Sequence, residues 1–197
     1  MESALVRALR QIDGEKVARH IATRSEYDRA FPLFFRALGD AVCARLWERF
    51  PDAMACVGED YVSEARARWG HLARLPLDWV AFGFPGVLMW DMHVGVVADL
   101  TRETPTISVG PHGTAGVWTK LAPALEAIDW PAVTGQKLVF NDARVVGEKQ
   151  LIEPPRALDL RDLAGEVTRL ADRAVRYYEI VAPLPAAAGI VPPPPTG

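Results

Sequence analysis

Cysteine is scarce in this chain of 197 residues, which contains only Cys43 and Cys56. The two share no C-x-x-C spacing, and neither lies near a histidine in the sequence. This pattern argues against the common zinc motifs and against a disulfide-rich secreted scaffold. The favoured interpretation is two small core residues in a reducing compartment, with a disulfide between them as the lesser alternative.

Long apolar segments and an excess of positive charge are also missing. No run of about 18 apolar residues occurs, which is the length that a membrane span requires. The N-terminal MESALVRALRQIDGEK lacks the apolar region of a secretory signal. These absences predict a cytoplasmic protein without a membrane partner. The net charge of −3, with scattered basic residues, disfavours nucleic acid as a partner.

The composition is otherwise that of an ordinary globular protein, with half of the residues hydrophobic and 24% charged. The abundance of Ala, Arg, Val and Pro suggests a bacterial, GC-rich genome. We expect one globular domain over residues 1–183. Residues 184–197 are rich in proline, and we expect them to form a disordered tail.

Helical periodicity dominates the first part of the chain and recurs at its end. A helix is predicted from Ser25 to Phe50, and another over residues 59–75. The final helix has apolar residues at alternating spacings of three and four, which suits either packing on a sheet or a homodimer seam. Its apolar positions are Leu160, Leu163, Val167, Leu170, Ala174, Tyr177 and Val181.

Residues 79–153 have the β-branched and aromatic content and the Gly/Pro punctuation of strands. Strands are predicted over 79–84, 87–99 and 106–112, a helix over 115–128, and a hairpin around Asn141. The predicted fold class is therefore α+β. It comprises N-terminal helices, a mainly antiparallel sheet of four to five strands, a helix between strands, and a long C-terminal helix packed on the sheet.

The order helix, three strands, helix, strand is similar to the core of the restriction-endonuclease-like nucleases. The resemblance implies an acidic residue on one strand and a (D/E)-x-K motif on the next, which together hold a metal ion. The third strand here reads TISVGPH and contains neither an acid nor a lysine. A degenerate relative of these nucleases is therefore the most that this resemblance supports.

The segment MWDMHVGVVADL places its ionisable residues on one face of a predicted strand. Side chains alternate between the faces of a strand. The even positions from 88 to 98 are apolar, whereas Asp91, His93 and Asp99 fall at odd positions. We therefore expect the even face to point into the core.

Folding the next strand back as a hairpin extends this polar face. Pairing Asp99 with Thr106 places Val97 opposite Ser108, Gly95 opposite Gly110 and His93 opposite His112. A slip of one residue would put Ile107 and Val109 among polar side chains, so the alternation specifies the register. Because glycine has no side chain, we expect a shallow depression over Gly95 and Gly110, bordered by His93 and His112.

Three interpretations of this face remain open: an ordinary solvent-facing surface, a ligand or catalytic pocket, and a metal site. In the pocket, Asp91 would orient His93 for acid–base catalysis together with His112. The ligand-binding candidates are Gly95, Asp99, Thr106, Ser108 and Gly110. In the metal site, Asp91, His93 and His112 would be the ligands, but the sequence identifies no cofactor.

The leading functional hypothesis is a small soluble protein that binds a small molecule on this polar sheet face, with acid–base catalysis as an extension. One alternative is a non-enzymatic interaction or regulatory module that uses the C-terminal helix. The second alternative is the degenerate nuclease.

Overall fold

The computed structural model describes residues 30–31, 33–57, 79–89, 91–99, 105–142 and 148–190. The helix predicted over 59–75 and the start of the helix at Ser25 lie outside these ranges. So does the end of the C-terminal tail, residues 191–197.

Within the described residues, seven antiparallel strands form one open sheet, in the order β1-β2-β3-β4-β6-β5 with β7 paired to β4. This confirms the α+β class and the antiparallel sheet. The sheet has more strands than predicted, because the short strands β1 and β7 were not expected from the sequence. The strands are β1 (Met54–Val57), β2 (Trp79–Gly83), β3 (Met92–Asp99), β4 (Thr106–Thr114), β5 (Val139–Asp142), β6 (Glu148–Ile152) and β7 (Arg156–Ala157).

Helices precede, interrupt and follow the sheet. They are α1 (residues 33–46), α2 (Ala115–Glu126), α3 (Trp130–Thr134), α4 (Leu163–Val181) and α5 (Leu184–Ala187). No helix in the described part of the chain combines the length and the apolar character needed to cross a bilayer.

Helix α1 buries the apolar face that its periodicity predicts. It packs over β1 and β2, where Gly39 approaches Ala55 and Val80. The free thiol of Cys43 lies within this interface, and burial raises its pKa. The residues of this face are buried, namely Phe31, Phe34, Phe35, Leu38, Val42 and Leu46.

Helix α4 packs on β3 and β4, as the sequence predicts. Asp162 caps its first turn, because the carboxylate accepts a hydrogen bond from the N–H of Gly165 at 2.9 Å. Of the predicted apolar positions, Leu163 and Val167 are half-buried, and Leu160 lies before the helix and is 41% exposed. The residues that α4 buries include Leu170, Ala171, Ala174, Tyr177, Tyr178 and Val181.

The ordered chain continues past residue 183, where the tail was expected to begin. Leu184–Ala187 forms a short helix, and Pro185 is buried. Leu184 and Ile190 pack against the hydrophobic core. The first part of the proline-rich segment therefore belongs to the folded domain.

Candidate functional site

The β3–β4 hairpin has the register that the sequence predicts. Asp99 pairs with Thr106, Gly95 with Gly110 and His93 with His112, and no bulge interrupts the ladder. The pairing also continues through Pro111 to Gly113. The alternation of apolar and polar residues along the strands was therefore sufficient to predict that the two histidines pair.

The two imidazole rings stack on each other across the hairpin. Their centroids are 5.2 Å apart and their planes differ by 15°. Only 7% of His93 and 5% of His112 is exposed. The interpretation as an ordinary solvent-facing surface is therefore wrong at this end of the hairpin.

The hydrogen bond of His93 fixes its tautomer. Its Nδ1 lies 2.8 Å from the carbonyl oxygen of Met89. Since a carbonyl oxygen can only accept, Nδ1 carries the proton and donates it, which leaves Nε2 with a lone pair. Met89 also fills the space next to Gly83, the residue that pairs with His93 on the other side.

Burial keeps both rings neutral. It lowers the pKa of His93 to about 4, and the bond to Met89 offsets only part of this effect. Burial and the neighbouring His93 lower the pKa of His112 to about 3. At neutral pH both rings are therefore uncharged, and the imidazolium form that serves as a general acid is not populated.

His112 has a buried nitrogen without a partner. Its Nε2 is inaccessible to water and forms no hydrogen bond within the described part of the chain. An unsatisfied buried polar atom costs about 1–3 kcal/mol. Such atoms are uncommon in folded proteins, and each has a physical explanation such as an ordered water, an ion or a catalytic role.

Asp91 does not join the histidines. Strand β3 begins at Met92, one residue later than Asp91, which lies in a turn closed by its N–H and the carbonyl of Leu88. No hydrogen bond or ion pair between described residues links its carboxylate to His93. Nor do three or more His, Cys, Asp or Glu residues cluster as metal ligands in the described ranges.

The depression expected over the paired glycines is occupied by the protein itself. A Cβ atom on Gly95 would lie 2.9 Å from Cδ2 of His112, whose ring covers that position. A Cβ atom on Gly110 would lie 2.1 Å from the carbonyl oxygen of Leu151, because β6 crosses there. The glycines therefore permit close packing of an imidazole and of a neighbouring backbone.

The other predicted ligand-binding residues lie at the far end of the hairpin. Asp99, Thr106 and Ser108 are half-buried. Asp99 is six residues along β3 from His93, a distance of about 20 Å at the usual strand rise. These residues therefore share a sheet face with the histidines without converging on them.

A second cluster of ionisable residues, which sequence reasoning missed, lies where β6 ends against α4. Glu153 is only 3% exposed. Its carboxylate accepts a hydrogen bond from the hydroxyl of Tyr177 at 2.7 Å and another from Nη1 of Arg173. Burial raises the pKa of Glu153, whereas Tyr177 and the nearby guanidinium groups act in the opposite direction.

The neighbouring pair of Arg156 and Glu166 extends this cluster. Arg156 binds both oxygens of Glu166 through its two terminal nitrogens. Burial alone would raise the pKa of Glu166, but Arg156 lowers it overall. The sequence did contain a signal, since Glu166, Arg173 and Tyr177 follow helical spacing along the buried side of α4.

No protein-family model, curated protein or solved structure matches this chain. The similarity to the restriction-endonuclease-like nucleases therefore rests on element order alone.

Proposed function

We propose that this protein binds a small molecule through the paired histidines of the β3–β4 hairpin. The observation that supports the proposal is the buried, unpartnered Nε2 of His112. A ligand that supplies one hydrogen-bonding group would satisfy this nitrogen and recover the free energy lost by burying it. His93 stacks on the same ring and provides an acceptor through the lone pair on its own Nε2.

The protonation states define the kind of chemistry that such a site can perform. Both imidazoles are neutral at pH 7, because their pKa values are lowered to about 4 and about 3. Neutral imidazoles accept hydrogen bonds and protons. The proposed ligand therefore presents an N–H or O–H group to Nε2 of His93 and the matching donor or acceptor to Nε2 of His112, and any catalytic role is that of a general base.

The test combines a ligand screen with a direct view of the imidazole nitrogens. Polar fragments carrying N–H or O–H groups are screened against the full-length protein by saturation-transfer NMR. Two-bond ¹H–¹⁵N spectra of ¹⁵N-histidine-labelled protein then report the Nε2 resonances. We expect at least one fragment to bind and to shift Nε2 of His112.

The matched control is His112→Phe, which keeps a planar ring of similar size and removes both nitrogens. Fragments that bind the wild-type protein should lose at least tenfold in affinity for this variant. Fragments that bind both proteins equally, or that leave the His112 resonances unchanged, would show that the histidine pair is a structural element only.

A further inference from the structure

A small depression opens beside the Glu153 cluster, away from the histidines. Its volume is about 190 Å³, and Thr134, Glu153, Asp172, Arg173, Arg176 and Tyr177 line it. Helix α4 supplies most of these residues, α3 supplies Thr134, and Glu153 follows β6. The buried Glu153 and Tyr177 form a fixed floor, because each is held by the other through a hydrogen bond.

Two guanidinium groups at this depression have donors to spare. Arg173 uses Nη1 to bind Glu153, and Arg176 uses Nε to bind the carbonyl of Val133 at 3.1 Å. Each guanidinium has five N–H donors. Neither makes a further hydrogen bond to the residues that the structure describes. Planar arginine forks of this kind are well suited to phosphate and carboxylate groups.

The carboxylates at the depression are already neutralised. Asp172 binds Nη1 of Arg45 from helix α1 at 2.6 Å, and Glu153 binds Arg173. Two guanidinium groups and two carboxylates line the depression, and Arg45 pairs with one of these carboxylates from outside it. The side chain of Arg176 is exposed, so an incoming anion reaches it without displacing an existing ion pair.

We propose that this depression binds a small oxyanion, a phosphate or carboxylate group, through Arg173 and Arg176. The size of the depression supports this class of ligand. A volume of about 190 Å³ lies below the roughly 300–1,000 Å³ of sites for larger organic ligands.

The experiment is an NMR titration of the full-length protein with inorganic phosphate, observed at the arginine side-chain N–H resonances. Ionic strength is held constant with chloride, and a parallel titration uses acetate. We expect saturable shifts of the Arg173 and Arg176 signals with at least one anion. Saturation by acetate alone identifies a carboxylate ligand, and saturation by phosphate identifies a phosphoryl ligand.

Three variants separate a built site from general attraction by positive charge. Arg176→Gln should weaken binding at least tenfold, and Arg176→Lys should weaken it by a smaller factor because it keeps the charge but loses the planar fork. Arg161→Gln removes the same charge at an exposed position outside the depression and should leave binding unchanged. Arg176 is exposed, so its variants should fold, as circular dichroism would verify.

Two results would overturn the proposal. The first is an absence of saturable shifts with both anions at constant ionic strength. The second is an equal loss of affinity in Arg161→Gln and Arg176→Gln, which would indicate nonspecific charge screening. Neither result bears on the histidine pair, because that pair is tested with different probes and a different variant.

Discussion

Two histidines that stack on each other differ in one hydrogen bond. His93 donates from Nδ1 to the carbonyl of Met89, whereas Nε2 of His112 has no partner among the described residues. Both rings are buried to nearly the same extent. A hydrogen bond therefore offsets part of the free-energy cost of burying His93, whereas Nε2 of His112 has no such compensation.

This difference predicts opposite effects of removing each ring's nitrogens. His112→Phe should leave the free energy of unfolding unchanged or raise it by about 1 kcal/mol, because it eliminates an unsatisfied polar atom. His93→Phe should lower it by about 1–3 kcal/mol, because the carbonyl of Met89 loses its donor. Urea denaturation of both variants measures the difference. An equal loss in the two would mean that Nε2 of His112 is bonded in solution.

The lowered pKa values also predict how stability depends on pH. In the unfolded chain each histidine binds a proton near pH 6.5, whereas in the folded state this happens only at about 4 and about 3. Between pH 6.5 and these lowered pKa values, the unfolded state binds more protons than the folded state. The free energy of unfolding is therefore highest above pH 6.5 and decreases as the pH falls.

The slope should reach about 1.4 kcal/mol per pH unit for each buried ring. Denaturation curves between pH 7 and pH 4 measure this slope for the wild-type protein and for His112→Phe. The variant has lost one of the two titrating rings, so its slope should be shallower. Identical slopes would show that His112 titrates normally in the folded protein.

At the scale of elements, the position of β6 determines the shape of the site. β6 pairs with the end of β4 from His112 to Thr114, and β7 pairs with its beginning at Thr106 and Ile107. Between these two ladders the backbone at Leu151 lies against Gly110. A side chain on Gly110 would therefore separate the two strands.

Alanine substitutions distinguish the two paired glycines. Gly110→Ala should cost at least about 3 kcal/mol, because the new Cβ would meet backbone atoms of β6 that cannot move independently. Gly95→Ala should cost about 1–2 kcal/mol, since its Cβ would meet the ring of His112, which can rotate. Chemical denaturation of each variant measures these losses.

Gly116→Ala is the control for this pair. Gly116 lies in α2, and a Cβ atom there would have no neighbour within 4 Å. The substitution should stabilise the protein by up to about 1 kcal/mol through helix propensity. A larger loss for Gly95→Ala than for Gly110→Ala would contradict the packing described for β6.

The elements show why the sequence predicted some features and missed others. The register of β3 and β4 was predictable because the apolar alternation of Ile107 and Val109 permits only one pairing face. Strand β7 has two residues and follows Pro154 and Pro155, so no periodicity marks it. The contact between Gly110 and Leu151 spans forty-one positions in the sequence, and local patterns contain no information about such a distance.

At the scale of the molecule, α1 and α4 share one side of the sheet and contact each other. Arg45 binds Asp172, and Arg49 binds Glu179. These ion pairs are largely exposed and contribute little to stability. The buried hydroxyl of Tyr178 on α4 donates to the carbonyl of Gly83 on β2 at 2.9 Å. One hydrophobic core contains residues of both helices and of the sheet.

A shared core predicts a single cooperative unfolding transition for the described part of the chain. Urea denaturation followed by tryptophan fluorescence and by far-ultraviolet circular dichroism should give coincident curves. Among the described elements, the buried Trp118 and Trp130 report on α2 and α3, whereas α1 and α4 are the longest helices and dominate their contribution to circular dichroism. Separate midpoints would divide the chain into independently folding units and would contradict the single domain predicted from the sequence.

Strand β4 pairs with β3 along one edge and with β6 and β7 along the other, which has a consequence for synthesis on the ribosome. Strands β2, β3 and β4 are adjacent in both sequence and sheet, so a nascent chain can pair them as soon as they emerge. The opposite side of β4 then lacks its neighbours until residues 148–157 have been made, after α2 and α3. During that interval an unpaired row of backbone groups is available to other chains, and the helix Ala115–Glu126 is the first element that follows it.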